Sequence, residues 1–131
     1  MADNKLDVHL VTPEREVWAG EADMVIARTT EGEIGILPGH APLLGKLKIS
    51  ALAIKTGGEK TWAAVDGGFI HVKDDRVDVL GEGAELEGEI DVESARRRAQ
   101  EAEQRLGEGI EDEEEQKREL ERARVRVDLG G

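Results

Sequence analysis

The sequence predicts a β plus α fold: a β-sandwich or barrel over residues 1–86, followed by an antiparallel hairpin of two helices over residues 87–131. Two observations separate these segments. All three prolines and 11 of the 16 glycines lie before residue 87, where turns between short strands require them. Each segment carries 24 charged side chains, so charge is nearly twice as dense in the second segment. A length of 131 residues suits one domain, or one small domain with an appendage.

The first segment has the pattern of a set of short strands. Leu6, Val8 and Leu10 are separated by single polar residues, which predicts a strand with one buried face. Two hairpins follow, over residues 49–65 around Gly57 and Gly58, and over residues 69–80 around Asp74 and Asp75. Many strands with turn signals about every 8–12 residues predict two packed sheets or a barrel.

The second segment has helical periodicity. Asp91 is placed to cap a first helix, and glycines at 107 and 109 are placed to end it. A second helix fits from about residue 111, after which acidic residues occupy the first turn. The two apolar stripes are narrow and rich in alanine: Ala95, Ala99, Ala102 and Leu106, then Leu120, Ala123 and Val127. Because burying an alanine methyl contributes only ~1 kcal/mol or less, we expect a weakly held hairpin that can leave a docked position.

Composition excludes several functional classes. With 18 basic against 30 acidic side chains the net charge is −12, which argues against nucleic acid or an anionic membrane surface as a partner. The absence of cysteine excludes disulfides, thiolate metal sites and cysteine nucleophiles. No apolar run approaches the ~20 residues of a membrane span, and residues 1–10 lack the features of a signal peptide, so we expect a soluble, cytosolic protein.

The sequence contains few candidates for catalytic residues. His9, His40 and His71 stand 31 residues apart and form no local metal-binding pair, and Ser50 and Ser94 are the only serines. The glycine-rich stretches contain neither a dinucleotide fingerprint nor a phosphate-binding P-loop. We therefore predict no catalytic residue, no metal site and no bound cofactor, and interpret the chain as a non-enzymatic protein.

Residues 32–43 combine three glycines and two prolines with apolar side chains. Pro38 and Gly39 have the pattern of a type II turn, and a proline at 42 restricts the preceding residue to extended geometry. The segment is predicted to be a stiff, exposed loop that carries Glu33 and His40. Such a loop is either a rigid turn between strands or a surface that meets a partner at low entropic cost.

At this loop the sequence resembles a known family. Residues 31–44, EGEIGILPGHAPLL, closely resemble the signature loop of the epsilon subunit of bacterial ATP synthase, and Asp66-Gly67-Gly68-Phe69 resembles that family's second glycine motif. The similarity continues from the opening strand through both hairpins to Ile90-Asp91 and the two helices, so it covers the whole chain.

The resemblance implies a flattened, ten-stranded β-sandwich (residues 1–86) and a regulatory helical hairpin (residues 87–131). It implies a non-catalytic subunit of the central rotor stalk that binds the gamma subunit on one side and the c-ring through the bottom of the sandwich. Coupling of proton flow to ATP synthesis and inhibition of ATP hydrolysis by raised helices are the implied functions. The c-ring-facing loop would contain Glu33, Pro38, Gly39 and His40. The implied location is peripheral, on the cytoplasmic side of a bacterial cell membrane, with membrane contact only through the complex.

Some relatives bind ATP between the folded helices through a motif that ends in Arg-Ala. Here the stretch is Ile90-Asp91-Val92-Glu93-Ser94-Ala95, and Ser94 replaces the arginine. The arginines at 96, 97 and 98 project at other angles, since each residue turns about 100° around a helix. We therefore expect weak or absent nucleotide binding.

Arg118, Arg122 and Arg126 are spaced by four and share a face of the second helix. One interpretation is ordinary pairing within the helix, of Arg118 with Glu114 or Glu121 and of Arg122 with Glu119. The family resemblance implies another, in which the raised helix sets these arginines against acidic segments of the catalytic alpha and beta subunits. The alternative function for the whole chain is a stand-alone β-sandwich adaptor or nucleotide-sensing module.

Overall fold

The computed structural model describes residues 4–109 and 112–131. The described strands are β1 (Leu6–Val11), β2 (Glu16–Ala22), β3 (Met24–Thr29), β4 (Gly32–Ile36), β5 (Leu43–Thr56), β6 (Glu59–Lys73), β7 (Arg76–Gly81) and β8 (Ala84–Leu86). A 3₁₀ turn, Glu87–Glu89, leads to α1 (Val92–Gly107) and α2 (Glu113–Gly130). A β-sandwich followed by two helices is therefore the architecture, as the sequence predicts.

The strands form one hydrogen-bonded ladder in the order β2-β1-β7-β6-β5-β3-β4, with β8 paired to β6. β1 and β7 are parallel, and the other described pairs are antiparallel. Leu6, Val8 and Leu10 of β1 share a single core with Val25 and Ala27 of β3, although the two strands lie far apart in the ladder. The ladder therefore folds back over itself and encloses the core between its two halves.

The described residues form eight strands rather than the expected ten. The two predicted hairpins share β6, a continuous strand of 15 residues, and β5 is nearly as long. β6 bends at Gly67 and Gly68, where φ is +83° and +124°. Pairing with β5 resumes on each side of the bend, at Asp66 opposite Ile49 and at Gly68 opposite Leu47. A left-handed glycine pair thus bends the strand where a turn would have divided it.

Part of the predicted loop is also a strand. Gly32–Ile36 forms β4, an edge strand paired with β3, and Ile36 is buried in the core opposite Val25. The loop proper spans residues 37–42. Its type II turn forms as predicted: the His40 amide donates to the Leu37 carbonyl at 3.0 Å, and Gly39 has φ +88°.

The helical hairpin follows the predicted stripes. Ala99 and Ala102 of α1 pack against Leu120 and Ala123 of α2, and the Asp91 carboxylate accepts from the Ser94 amide at 3.1 Å as the predicted cap. The second helix begins at Glu113, slightly later than expected, and the expected start at 111 lies outside the described residues. α2 packs on β5 and β6 as well as on α1, so the hairpin is docked on the sandwich.

The segment between the sandwich and α1 is fixed by an ion pair. Arg15, in the turn between β1 and β2, donates to both Glu89 carboxylate oxygens at 2.7 and 3.0 Å, and Glu89 also accepts from the Leu86 amide. The hydrogen bonds from Arg15, followed by that from Leu86, lower the pKa of Glu89. The pair is exposed, so its role is to orient the chain at the start of the hairpin rather than to supply much stability.

Replacing Gly68 with alanine should destabilise the sandwich by about 3 kcal/mol or more, because the new Cβ combines strain at positive φ with a severe clash. That Cβ would lie 2.0 Å from the Leu80 carbonyl oxygen. Urea unfolding followed by circular dichroism measures the change. Gly88→Ala is the matched control, since its Cβ meets nothing within 4 Å and its φ is not in the left-handed region. Equal midpoints for the two variants would contradict this explanation of the bend.

Candidate functional site

The outer face of the sandwich beyond the β6 bend carries an exposed apolar surface. Phe69 and Leu80 are opposite each other on β6 and β7, and they are 50% and 49% exposed. Val11 of β1 is opposite Leu80 and, together with Pro13, completes the lining of a shallow cavity of about 420 Å³. We call Val11, Pro13, Phe69 and Leu80 the apolar face. A contiguous patch of this kind on a highly charged chain is typical of a protein interface.

The loop of residues 37–42 lies against the turn between β6 and β7. The Gly39 amide donates to Asp75 Oδ1 at 2.7 Å, and His40 Nδ1 donates to the Ala41 carbonyl at 2.7 Å. Leu37 is 53% exposed at the start of the loop, and Pro38 and His40 are half-buried. The backbone turn, the proline and the hydrogen bonds together restrict the conformation of this loop. The loop presents Leu37 and Gly39 to solvent.

Glu33 lies apart from that loop, on β4. Its carboxylate faces Arg28 on β3 at 3.5 Å, and both side chains are exposed. It also borders a cleft of about 320 Å³ beside α2, with Val125 and Leu129 on the opposite wall. In the described part of the chain, no hydrogen bond or ion pair joins Glu33 to His40. The two residues therefore occupy different local environments, although they are close in sequence.

Two of the three spaced arginines pair within α2. Arg118 donates from Nε to Glu115 at 3.1 Å, rather than to Glu114 or Glu121. Arg122 donates from Nε to Glu119 at 3.2 Å and also contacts Glu115. Hydrogen bonds from Arg122 and then Arg118 lower the pKa of Glu115. These pairs lie at the surface and contribute little to stability.

Arg126 faces β6 and β8 from α2, and only 5% of the residue is exposed. Its Nη1 and Nη2 donate to the two oxygens of Asp66 at 2.8 and 2.9 Å, and its Nε donates to Glu85 at 2.6 Å. Nη1 also donates to the Arg122 carbonyl at 3.0 Å. The guanidinium thus links α2 to β6 through a bidentate ion pair with Asp66, and to β8 through Glu85.

The electrostatics of Arg126 follow from its surroundings. Burial alone would lower its pKa, but the hydrogen bonds and charge of Asp66, followed by those of Glu85, outweigh burial and raise it. Two carboxylates around one buried guanidinium supply the compensation that a desolvated cation requires.

The spacing of four residues groups Arg126 with Arg118 and Arg122, but the structure separates it from them. Eight residues of helix turn about 800°, which leaves Arg126 roughly 80° around the axis from Arg118. The partner residues Asp66 and Glu85 were missed because they lie 60 and 41 positions away. A weak signal was available, since Arg126 borders the stripe of Leu120, Ala123 and Val127.

The first turn of α1 is occupied by its own contacts. The Ser94 amide is bound to Asp91, and Arg96 donates to Glu93 at 2.7 Å. Within residues 4–109 and 112–131 no group of His, Asp and Glu is arranged to hold a metal ion. None of the described helices is long and apolar enough to span a membrane.

Comparison with known proteins relates these features to one family. The family model described as the ATP synthase Delta/Epsilon chain β-sandwich domain matches residues 5–87. A relative named ATP synthase epsilon chain in Halalkalibacterium halodurans is 43% identical over 96% of this chain and 97% of its own length. Another of that name in Brevibacillus brevis is 52% identical over 80% of each chain.

A solved structure shows similarity to the same family. A chain in the cryo-EM structure of the Euglena gracilis mitochondrial ATP synthase, comprising OSCP, F1 and c-ring, superposes with a TM-score of 0.82 at 26% identity. The superposition covers 94% of this chain and 79% of that one. It includes both the sandwich and the helices, as the family resemblance of the loop and the second glycine motif implies. The chain belongs to the epsilon chain family of ATP synthase, a non-catalytic subunit of that complex.

Proposed function

We propose that this chain works in the central stalk of a bacterial proton-translocating ATP synthase, where it couples c-ring rotation to ATP synthesis and restrains ATP hydrolysis. The apolar face carries this proposal, because it is the feature that a rotor subunit needs and that an isolated domain does not. The subunit would lie peripherally on the cytoplasmic side of the membrane, which it reaches only through the complex. Family membership argues against the alternative of a stand-alone adaptor or nucleotide sensor.

The apolar face is the proposed contact with the gamma subunit. α2 lies over residues before the β6 bend, near Asp66 and Glu85, whereas Phe69 and Leu80 lie at and beyond it. The docked hairpin therefore leaves this surface uncovered. Burying Phe69 and Leu80 against gamma would remove two large, half-exposed apolar side chains from water.

The loop of residues 37–42 is the proposed contact with the c-ring, together with Glu33, as the family resemblance implies. The stiffness of the loop supports this proposal. The turn at Pro38 and Gly39 and the hydrogen bond to Asp75 fix the conformation of the loop before it meets a partner. A pre-ordered loop transmits torque and binds with little loss of conformational entropy.

Replacing residues 37–42 with a flexible Gly/Ser linker should uncouple ATP-driven proton pumping from ATP hydrolysis in reconstituted vesicles. Residues 32–36 must be kept, because Ile36 is part of the core. We expect the ratio of pumping to hydrolysis to fall about fivefold or more, as a loss of typical coupling between sites would produce.

Glu59→Gln, an exposed change near the Gly57 and Gly58 turn, serves as the control and should leave the ratio unchanged. Full coupling in the linker variant, with the sandwich folded, would show that this loop does not transmit rotation.

The helical hairpin is the proposed regulatory element. When α2 leaves the sandwich, Arg118, Arg122 and Arg126 become available to acidic segments of the catalytic alpha and beta subunits. A basic row on a chain of net charge −12 gives such a contact local electrostatic complementarity. The contact should weaken with salt, because the Debye length falls to ~3 Å at 1 M.

Removing residues 112–131, or changing both Arg118 and Arg122 to alanine, should raise ATP hydrolysis by the assembled enzyme about fivefold or more, since the inhibitory contact is lost. Assembly should be unaffected because it depends on the sandwich. Arg105→Ala on α1 is the control for loss of one exposed positive charge. An unchanged hydrolysis rate in both test variants would rule out inhibition by α2.

A further inference from the structure

We propose that Arg126, Asp66 and Glu85 form a latch that holds the helical hairpin on the sandwich and sets how often it is released. Arg126 belongs to α2, Asp66 to β6 and Glu85 to β8, so the cluster joins the two parts of the fold directly. Its regulatory consequence rests on the proposed function, in which the released hairpin inhibits hydrolysis, but docking itself is a property of the isolated chain.

The latch is the most specific contact between α2 and the sandwich. The surface under the helix includes Ala51 and Ala64, opposite each other on β5 and β6, and the cleft beside α2 is also lined by the larger Ile49 and Trp62. Apolar contacts to alanine supply little free energy. In contrast, Arg126 is 5% exposed, and its guanidinium donates three hydrogen bonds to two carboxylates. Removing one partner in the docked form leaves a buried charge uncompensated, which is strongly destabilising.

A glycine keeps the Asp66 carboxylate in place. A Cβ at Gly83, in the turn between β7 and β8, would lie 2.5 Å from Asp66 Oδ2. The Asp66 amide also donates to the Gly83 carbonyl at 2.8 Å, so the two residues are fixed side by side. Gly83 does not have a positive φ, so the missing side chain, and not backbone freedom, is what the site requires. Gly83→Ala therefore displaces the carboxylate without changing any charge.

The latch and the proposed inhibitory contact compete for Arg126. In the docked form Arg126 faces Asp66 and Glu85, while Arg118 and Arg122 pair along the helix. Release frees Arg126 from its sandwich partners, so that it can act together with Arg118 and Arg122, whose pairs lie within α2. A weaker latch should therefore increase the released population before any partner binds, because the equilibrium between two states depends on their difference in free energy.

Thiol labelling of a single cysteine measures release in the isolated full chain. The chain has no cysteine, and Ala64 is 0% exposed on the β6 face that also carries Asp66. In an Ala64→Cys background, Arg126→Gln, Asp66→Asn and Gly83→Ala should each accelerate labelling about tenfold or more. Arg124→Gln is the matched control, since Arg124 pairs with Glu103 of α1 and does not reach the sandwich. It should change the rate by less than about twofold, as an exposed pair would.

Combining Arg126→Gln with Asp66→Asn should add nothing to the faster single variant, because each removes the same contact. Circular dichroism confirms that the sandwich is folded, and Arg126→Lys and Gly83→Ala keep every charge if the uncharged variants unfold. Labelling at the parental rate in the folded variants, or equal acceleration by Arg124→Gln, would overturn the latch. Faster labelling in the isolated chain supports it even if hydrolysis by the assembled enzyme is unaffected, and that second result would instead refute inhibition by the hairpin.

Discussion

The fold depends on the bend in β6 at Gly67 and Gly68. Before the bend, β6 pairs with β8, and after it β6 pairs with β7. The ladder between β6 and β5 continues on both sides of the bend. A side chain at Gly68 would collide with the Leu80 carbonyl oxygen, so this position in β6 requires glycine. Asp66 stands directly before the bend and Phe69 directly after it. The same constraint therefore orients the carboxylate that receives Arg126 and the aromatic ring of the apolar face.

The bend also separates the two surfaces on which the proposed function relies. Before it, β6 is covered by α2 and carries Asp66. This carboxylate loses its contact with Arg126 if the hairpin is released. Beyond it, β6 and β7 expose Phe69 and Leu80 while the hairpin is docked. A subunit organised in this way can remain attached to the stalk through one surface while the other responds to the state of the enzyme. Attachment and regulation are then physically independent, which a rotating regulator requires.

Local patterns predicted much of the architecture. The alternation of Leu6, Val8 and Leu10 specified β1, and the alanine stripes specified the helix–helix contact, because each depends on residues near one another in sequence. The expectation of ten strands came from the family resemblance and not from a local pattern. The described residues form eight, and β6 continues through the glycine pair at 67 and 68. β4 was missed because its glycines suggest a loop, although Ile36 buries itself in the core.

The candidate site was harder to predict because its decisive contact is distant in sequence. Equal spacing grouped Arg126 with Arg118 and Arg122, but successive steps of four residues rotate gradually around the helix. The residue that faces the sandwich is then set by how α2 docks, which no local pattern contains. Asp66 is part of a recognisable glycine motif, yet nothing in that motif indicates a guanidinium partner 60 residues later.

We propose that docking of α2 through Asp66 controls ATP hydrolysis. Steady-state hydrolysis by the assembled enzyme tests it most directly when Asp66→Asn is introduced with residues 112–131 present and with them removed. We expect Asp66→Asn to lower hydrolysis when α2 is present, because release favours inhibition, and to have no effect once α2 is absent. An equal effect in both backgrounds, or no effect with α2 present, would contradict it.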